Sequence, residues 1–204
     1  DRDVTGVQTC ALPIWKMGYR IAEEAVSRGA DVILVSGNST IEPPSGVKFE
    51  TAWSADEMCQ VMLKYQPACD IIIGAAAVGD FQITGVAGQK LKKAANRSDK
   101  LVLEFVGTPD ILQELGKRKA KNQIIVGFAA ETENIIENAK LKLEKKNLDF
   151  IVANDVTMEG AGFATDTNIV TIITRNGEVQ SLPKMSKEDV AAALLDKVVD
   201  LLKI

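Results

Sequence analysis

An acid and a group of lysines along one stretch are the first chemistry this chain offers. Asp80 follows the apolar run Ile71-Ile72-Ile73-Gly74, and Lys90, Lys92 and Lys93 follow Asp80. Ammonium groups neutralise phosphates, and a nearby carboxylate can hold a cation or a ligand hydroxyl. The alternative for Asp80 is a turn or cap acid. Gly85 and Gly88 precede the lysines, so this stretch can act as a flap closing on a ligand. Lys142 and Lys146 stand four apart on one helix face. Like charges at that spacing cost about 0.2–0.5 kcal/mol, so the pair is either a solvated face or a contact for a phosphate-rich ligand. Thr108-Pro109-Asp110-Ile111-Leu112 reads as a helix start with Thr as N-cap and Pro first. Its free N–H groups are a perch for an anion, although such caps are common. Phe128, in Gly127-Phe128-Ala129-Ala130, can stack on a base or fill the core.

What is missing narrows the chemistry further. The chain has no His, which removes Ser-His nucleophiles, imidazole acid–base catalysis and the usual zinc sites. No Gly-x-Gly-x-x-Gly follows a strand and no Walker phosphate loop is present. A net charge of −4 argues against nucleic acid as partner. No apolar run approaches the roughly 20 residues that span a bilayer, so no membrane association is expected. Cys10, Cys59 and Cys69 have no paired spacing and are expected as thiols in a reducing cytoplasm.

The elements that must hold these residues alternate. A helix over Gly18–Arg28 ends at Gly29, and strands follow over Asp31–Val35 and Val47–Thr51. Ser54 and Glu57 form a capping box for a helix running to Tyr65. Ile71–Gly74 is apolar on both faces, as a buried parallel strand requires, and Ala75, Ala76 and Ala77 at its end let a ligand approach the backbone. Strands are expected over Leu101–Val106, Gln123–Phe128 and Asp149–Ala153, with helices from Pro109 to Gly116 and from Ile135 to Lys146. Asn176-Gly177 joins two further strands as a hairpin, and Ser186 caps a last helix. The pattern predicts an α/β, Rossmann-like, mostly parallel sheet with helices on both faces and a C-terminal hairpin plus helix. Ligands in such sheets sit beyond the carboxyl ends of the strands. Residues 1–15 stand apart: Val4–Ile14 shares no periodicity with the rest and matches the in-frame translation of a sequencing adapter. We expect a non-native leader there, a natural N-terminal tail being the alternative, and one domain over 16–204.

Six segments in order, Lys16–Gly37, Gly74–Phe81 followed by Gln89–Lys93, Thr108–Gly116, Ile125–Thr132, Lys145–Val156 and Gly162–Asn168, together resemble phosphopantothenoylcysteine synthetase. In bacteria this is the C-terminal half of a bifunctional coenzyme A biosynthesis flavoprotein. The resemblance implies a cytoplasmic ligase that joins 4′-phosphopantothenate to cysteine, using CTP and Mg²⁺ and passing through an acyl-cytidylate. It implies nucleotide contacts from Asp80, Lys90, Pro109, Asp110, Ile111, Leu112, Phe128, Lys142 and Lys146, with Lys90 as the catalytic flap residue. Ala76, Ala77 and Asn154 are expected to line the site. A homodimer is implied, a decarboxylase half can be fused upstream, and no flavin is expected on this domain. Pro13-Ile14-Trp15 departs from the family's Ser-Ser-Gly, and Ala11 stands where the family has Asn. The family's first strand is therefore expected to be missing, leaving its two neighbours with unpaired edges and the chain inactive and poorly stable. The other readings are a nucleotide-binding module without catalysis and a Rossmann-type oxidoreductase.

Overall fold

Backbone hydrogen bonding dictates the centre of this molecule, as a computed structural model describing residues 8–12, 15–85, 102–131, 134–155 and 167–202 makes clear. In chain order the elements are β1 (Gln8–Leu12), α1 (Trp15–Ser27), β2 (Asp31–Ser36), β3 (Lys48–Thr51), α2 (Ala55–Tyr65), β4 (Ile71–Gly74), β5 (Phe81–Ile83) and β6 (Phe105–Gly107). There follow α3 (Ile111–Lys117), β7 (Ile124–Glu131), α4 (Ile135–Lys145), β8 (Phe150–Asp155), β9 (Thr167–Asn168), β10 (Val170–Thr174), β11 (Val179–Ser181), β12 (Met185–Ser186) and α5 (Lys187–Leu202). The main sheet has the order β11-β10-β8-β7-β4-β1-β2-β3, parallel from β3 to β8 with β10 and β11 antiparallel at one edge. This is the α/β, Rossmann-like sheet that the alternation of elements predicts. Its chain crosses from β3 to β4 on the far side of β1, so the switch point lies between β1 and β4.

The expected gap between two unpaired edges is corrected here. β1 lies between β2 and β4, pairing Thr9 with Val32 on one side and with Ile71 on the other. Thr9 and Cys10 are buried. A ladder needs only N–H and C=O groups at the strand repeat, so the segment before α1 completes the sheet whatever its side-chain resemblance to the family. Reasoning from side-chain motifs missed this. Unpaired edges therefore give no reason to expect poor stability.

The cysteine expectation is corrected too. Cys10 and Cys69 form a disulfide across 59 positions, and Cys59 is the buried free thiol. Spacing in the chain did not suggest the pair. It arises because β1 lies against β4, whose preceding residues include Cys69.

Strand alternation divides the core into two layers. Ile71, Ile73, Val126, Phe150 and Val152 face α1 and α5, while Ile72, Ile125 and Ile151 face α2, α3 and α4. The caps follow the sequence. Ser54 accepts from the Glu57 N–H, the Glu57 carboxylate accepts from the Trp53 N–H, and Ser186 Oγ accepts from the Asp189 N–H. Gly29 ends α1 at φ 86°. Gly177 at φ 89° turns the hairpin that pairs Ile173 with Val179.

Two further expectations shift. Of the strand expected over Leu101–Val106, Leu101 lies outside the described residues, and from 102 on the strand is β6, which pairs with β5 as a separate ribbon. The N-cap of α3 is Asp110, not Thr108: the Asp110 carboxylate accepts from the Gln113 N–H. Thr108 instead donates its hydroxyl to the Gly79 carbonyl and its N–H to the Asp80 carbonyl, tying β5 to β6. A side chain free to reach across a ribbon has no need to cap.

Candidate nucleotide site at the carboxyl rim of the sheet

Two glycines bring a helix down onto the sheet edge. Gly74 ends β4 and pairs with Gly127 of β7. A Cβ on Gly74 would stand 2.6 Å from Leu112 Cδ2, and one on Gly127 would stand 2.7 Å from Leu148 Cδ1 and 3.3 Å from Leu112 Cδ1. Leu112 therefore sits where side chains would otherwise project, and it draws the first turn of α3 to the strand ends. A second close approach fixes the other wall. A Cβ on Gly116 would lie 2.0 Å from the Lys146 carbonyl oxygen. Asn147, at φ 53°, closes α4, with its own N–H donating to Glu144 and the Leu148 N–H donating to Leu143. The Asn147 amide donates to the Gly116 carbonyl over 2.9 Å. The ends of α3 and α4 are thereby locked together, with Lys146 at their junction.

A cavity of about 160 Å³ opens between these walls, bounded by Asp80, Pro109, Asp110, Ile111, Leu112, Phe128 and Lys146, together with Gly74, Ala76, Val78 and Thr108. Seven of the nucleotide-contact residues named from the sequence thus meet around one space. Lys146 Nζ lies 3.0 Å from Asp110 Oδ1, the two side chains being 22% and 33% exposed. Asp80 is exposed at the mouth. Phe128 is half-buried, so the two readings of that ring are compatible: it packs on the edge of the core and also lines the cavity. Lys142 lies half-buried one turn before Lys146 and does not border the cavity. Lys90, Lys92 and Lys93 fall outside the described residues. α3 offers a poorer anion perch than expected, because the Asp110 carboxylate already takes the Gln113 N–H.

A second cavity, of about 140 Å³, lies behind the same wall. Ala76 and Phe128 border both spaces. Ala77 and Asn154, named as site-lining, border the second one with Asn168 and Lys187. Asn154, Asn168 and Lys187 are buried, at 8%, 6% and 4% exposure. Sequence reasoning did not bring Asn168 and Lys187 to this cavity. Lys187 reads there only as the first lysine of a capped helix, and its burial arises when α5 packs on α1.

Among the described residues no group of three or more His, Cys, Asp or Glu side chains could hold a metal, and no helix is long and apolar enough to cross a membrane.

A Rossmann-like sheet with a mixed-charge cavity beyond the carboxyl ends of β4 and β7 defines an α/β domain with a candidate ligand site at its rim. The family described as the DNA/pantothenate metabolism flavoprotein C-terminal domain matches residues 15–202, and the chain belongs to it. It is 48% identical over 189 residues to the coenzyme A biosynthesis bifunctional protein CoaBC of Bacillus subtilis (strain 168), covering 92% of this chain and 46% of that protein. With the protein of the same name from Borreliella burgdorferi it shares 42% identity over 181 residues, covering 88% of this chain and 45% of that one. The chain thus spans under half the length of these relatives. A crystal structure of the C-terminal domain of coenzyme A biosynthesis bifunctional protein CoaBC superposes with a TM-score of 0.83 at 34% identity, covering 100% of this chain and 99% of that one.

Proposed function

We propose that this domain is a CTP-dependent ligase that joins 4′-phosphopantothenate to cysteine in coenzyme A biosynthesis. The observation that carries the reading is the convergence of Asp80, Pro109–Leu112, Phe128 and Lys146 on one cavity at the carboxyl rim of a family-typical sheet. The chemistry asks for two displacements. A carboxylate oxygen of 4′-phosphopantothenate attacks the α-phosphorus of CTP, and the bond to pyrophosphate breaks with its electron pair leaving on pyrophosphate. The cysteine nitrogen then attacks the acyl carbon. The bond to CMP breaks, CMP leaves with the pair, and the amine proton passes to water.

Each residue has a physical task in this reading. Lys146 presents fixed positive charge to the phosphates, and Lys142 reinforces the field from the previous turn. Phe128 offers a ring face to the base. Lys90 is assigned as the flap cation of the first displacement on the likeness of its segment to the family. Asp80 and Asp110, the carboxylates of the cavity, would hold Mg²⁺ carried in on the phosphates, which neutralises charge there. The exposed apolar side chains on one face of the β5–β6 ribbon, Phe81, Ile83 and Phe105, support a homodimer through that face. CTP rather than ATP, a cytoplasmic setting and an upstream decarboxylase half rest on the family likeness alone.

The test offers CTP, ATP, 4′-phosphopantothenate and Mg²⁺ to the purified chain. CTP is expected to bind, and Lys146→Met is expected to abolish most of that binding. With Ala11 where the family has Asn, turnover is expected to be low, measured as pyrophosphate released. Failure of CTP to bind overturns the ligase reading. Robust product formation overturns only the expectation of low turnover.

A further inference from the structure

The cavity behind the nucleotide site has the chemistry of an amino-acid pocket. Its volume is about 140 Å³, and a cavity of about 150 Å³ accommodates a benzene-sized molecule. That suits a small amino acid and excludes a long acyl chain. Small side chains, Ala75, Ala76 and Ala77, form one wall and leave the backbone accessible. Three polar side chains, Asn154, Asn168 and Lys187, border it as well, the last two brought together where β9 pairs with β12. Lys187, at the start of α5, is 4% exposed and borders the cavity. Asn168, at the end of β9, is 6% exposed, and its Oδ1 has no hydrogen-bond partner among the described residues. Among the described residues its amide nitrogen donates to the Met17 sulfur, at 3.9 Å. An amide oxygen buried without a donor is costly, and a ligand that brings an N–H removes the cost.

We propose that this cavity binds the amino-acid co-substrate, with Lys187 taking its carboxylate and Asn168 Oδ1 accepting from its amine. The inference rests on the ligase reading for which amino acid is used, but the pocket's chemistry stands on its own residues. Its position suits the second displacement. Ala76 and Phe128 border both this cavity and the nucleotide cavity, so an acyl group held on the α-phosphate would lie where the two spaces adjoin. The amine, once deprotonated, would approach the acyl carbon from the other side. A carboxylate held by Lys187 also distinguishes an α-amino acid from a simple amine.

The experiment measures binding and needs no turnover. L-serine stands in for cysteine because it carries the same amine and carboxylate and leaves the Cys10–Cys69 disulfide intact. Ethanolamine is the same molecule without the carboxylate. Saturation-transfer NMR on the full chain is expected to show L-serine binding and ethanolamine binding at least about tenfold more weakly, a difference of ~1.4 kcal/mol. Lys187→Gln is expected to lose the preference for L-serine while still binding CTP. Lys187→Arg is expected to retain it, and Asn168→Ala to weaken both amines alike. If Lys187→Gln misfolds, the comparison of L-serine with ethanolamine on the unaltered chain still decides. Equal binding of the two amines, absence of L-serine binding, or a Lys187→Gln defect in 4′-phosphopantothenate binding alone overturns the proposal. L-serine binding without CTP binding would sink the ligase reading and leave the amino-acid pocket standing.

Discussion

Asp110 has two jobs, and two substitutions separate them. Its carboxylate caps α3 by accepting from the Gln113 N–H over 3.2 Å, and it pairs with Lys146 Nζ at 3.0 Å. Asn caps a helix as well as Asp does, whereas Ala does not. Asp110→Asn therefore removes only the ion pair, worth about 0.2–1 kcal/mol for a pair this exposed. Asp110→Ala removes the cap as well, for about 1 kcal/mol more. At roughly 2–4 °C per kcal/mol for a domain of this size, melting should fall by about 0.5–4 °C for Asp110→Asn and about 2–8 °C for Asp110→Ala, the second always the larger. Lys146→Met should match Asp110→Asn in stability, and the double variant Asp110→Asn/Lys146→Met should cost little more than either alone. Binding should separate the two positions in the opposite sense. Lys146→Met deletes a charge-assisted contact to phosphate, weakening CTP by roughly ten- to a hundredfold. Asp110→Asn, measured without Mg²⁺, removes a like charge from the anion's cavity and should bind CTP at least as tightly as the parent. Urea or thermal melts and calorimetric titration read both quantities. Equal melting temperatures for Asp110→Asn and Asp110→Ala would refute the cap, and tighter CTP binding by Lys146→Met would refute the phosphate role.

Other outcomes follow from the same contacts. Gly116→Ala should cost about 1–3 kcal/mol, toward the upper end because the atom at 2.0 Å is the Lys146 backbone carbonyl; it should weaken CTP binding too, read by melting and titration together. Thiol titration of the denatured, unreduced chain should find one free thiol, that of Cys59, and three after reduction. Closing a 59-residue separation contributes up to about 4 kcal/mol by chain entropy, so reduction should lower the melting temperature; no change would deny the cross-link. Burial raises the Cys59 pKa above its ordinary value. The folded thiol thus keeps its proton where the unfolded one has lost it, so this group's contribution is fully present below the unfolded pKa and is lost as pH rises through the folded value. Cys59 should resist alkylation in the native chain and react on unfolding, and rapid native labelling at neutral pH would contradict its burial.

Local signals in the chain determined the alternation of helices and strands, the capping box at Ser54, the helix stop at Gly29, the hairpin at Asn176-Gly177 and the buried Ile71–Gly74 strand. Each depends on neighbours within a few positions, so the residue types alone suffice. Motif likeness likewise named Asp80, the Pro109–Leu112 segment, Phe128 and Lys146, because a site built at strand ends keeps its residues at recognisable places in the chain. Tertiary structure alone decided that Gln8–Leu12 closes the centre of the sheet, since a ladder is chosen by available edges more than by side chains. It alone decided that Cys10 meets Cys69, that Asp110 rather than Thr108 caps α3, and that Lys187 and Asn168 border one cavity. The Asp110 cap is itself local, but Thr108 is drawn away from capping by Gly79, 29 positions earlier; the other outcomes likewise arise from packing between separate elements, which no local pattern in the chain encodes.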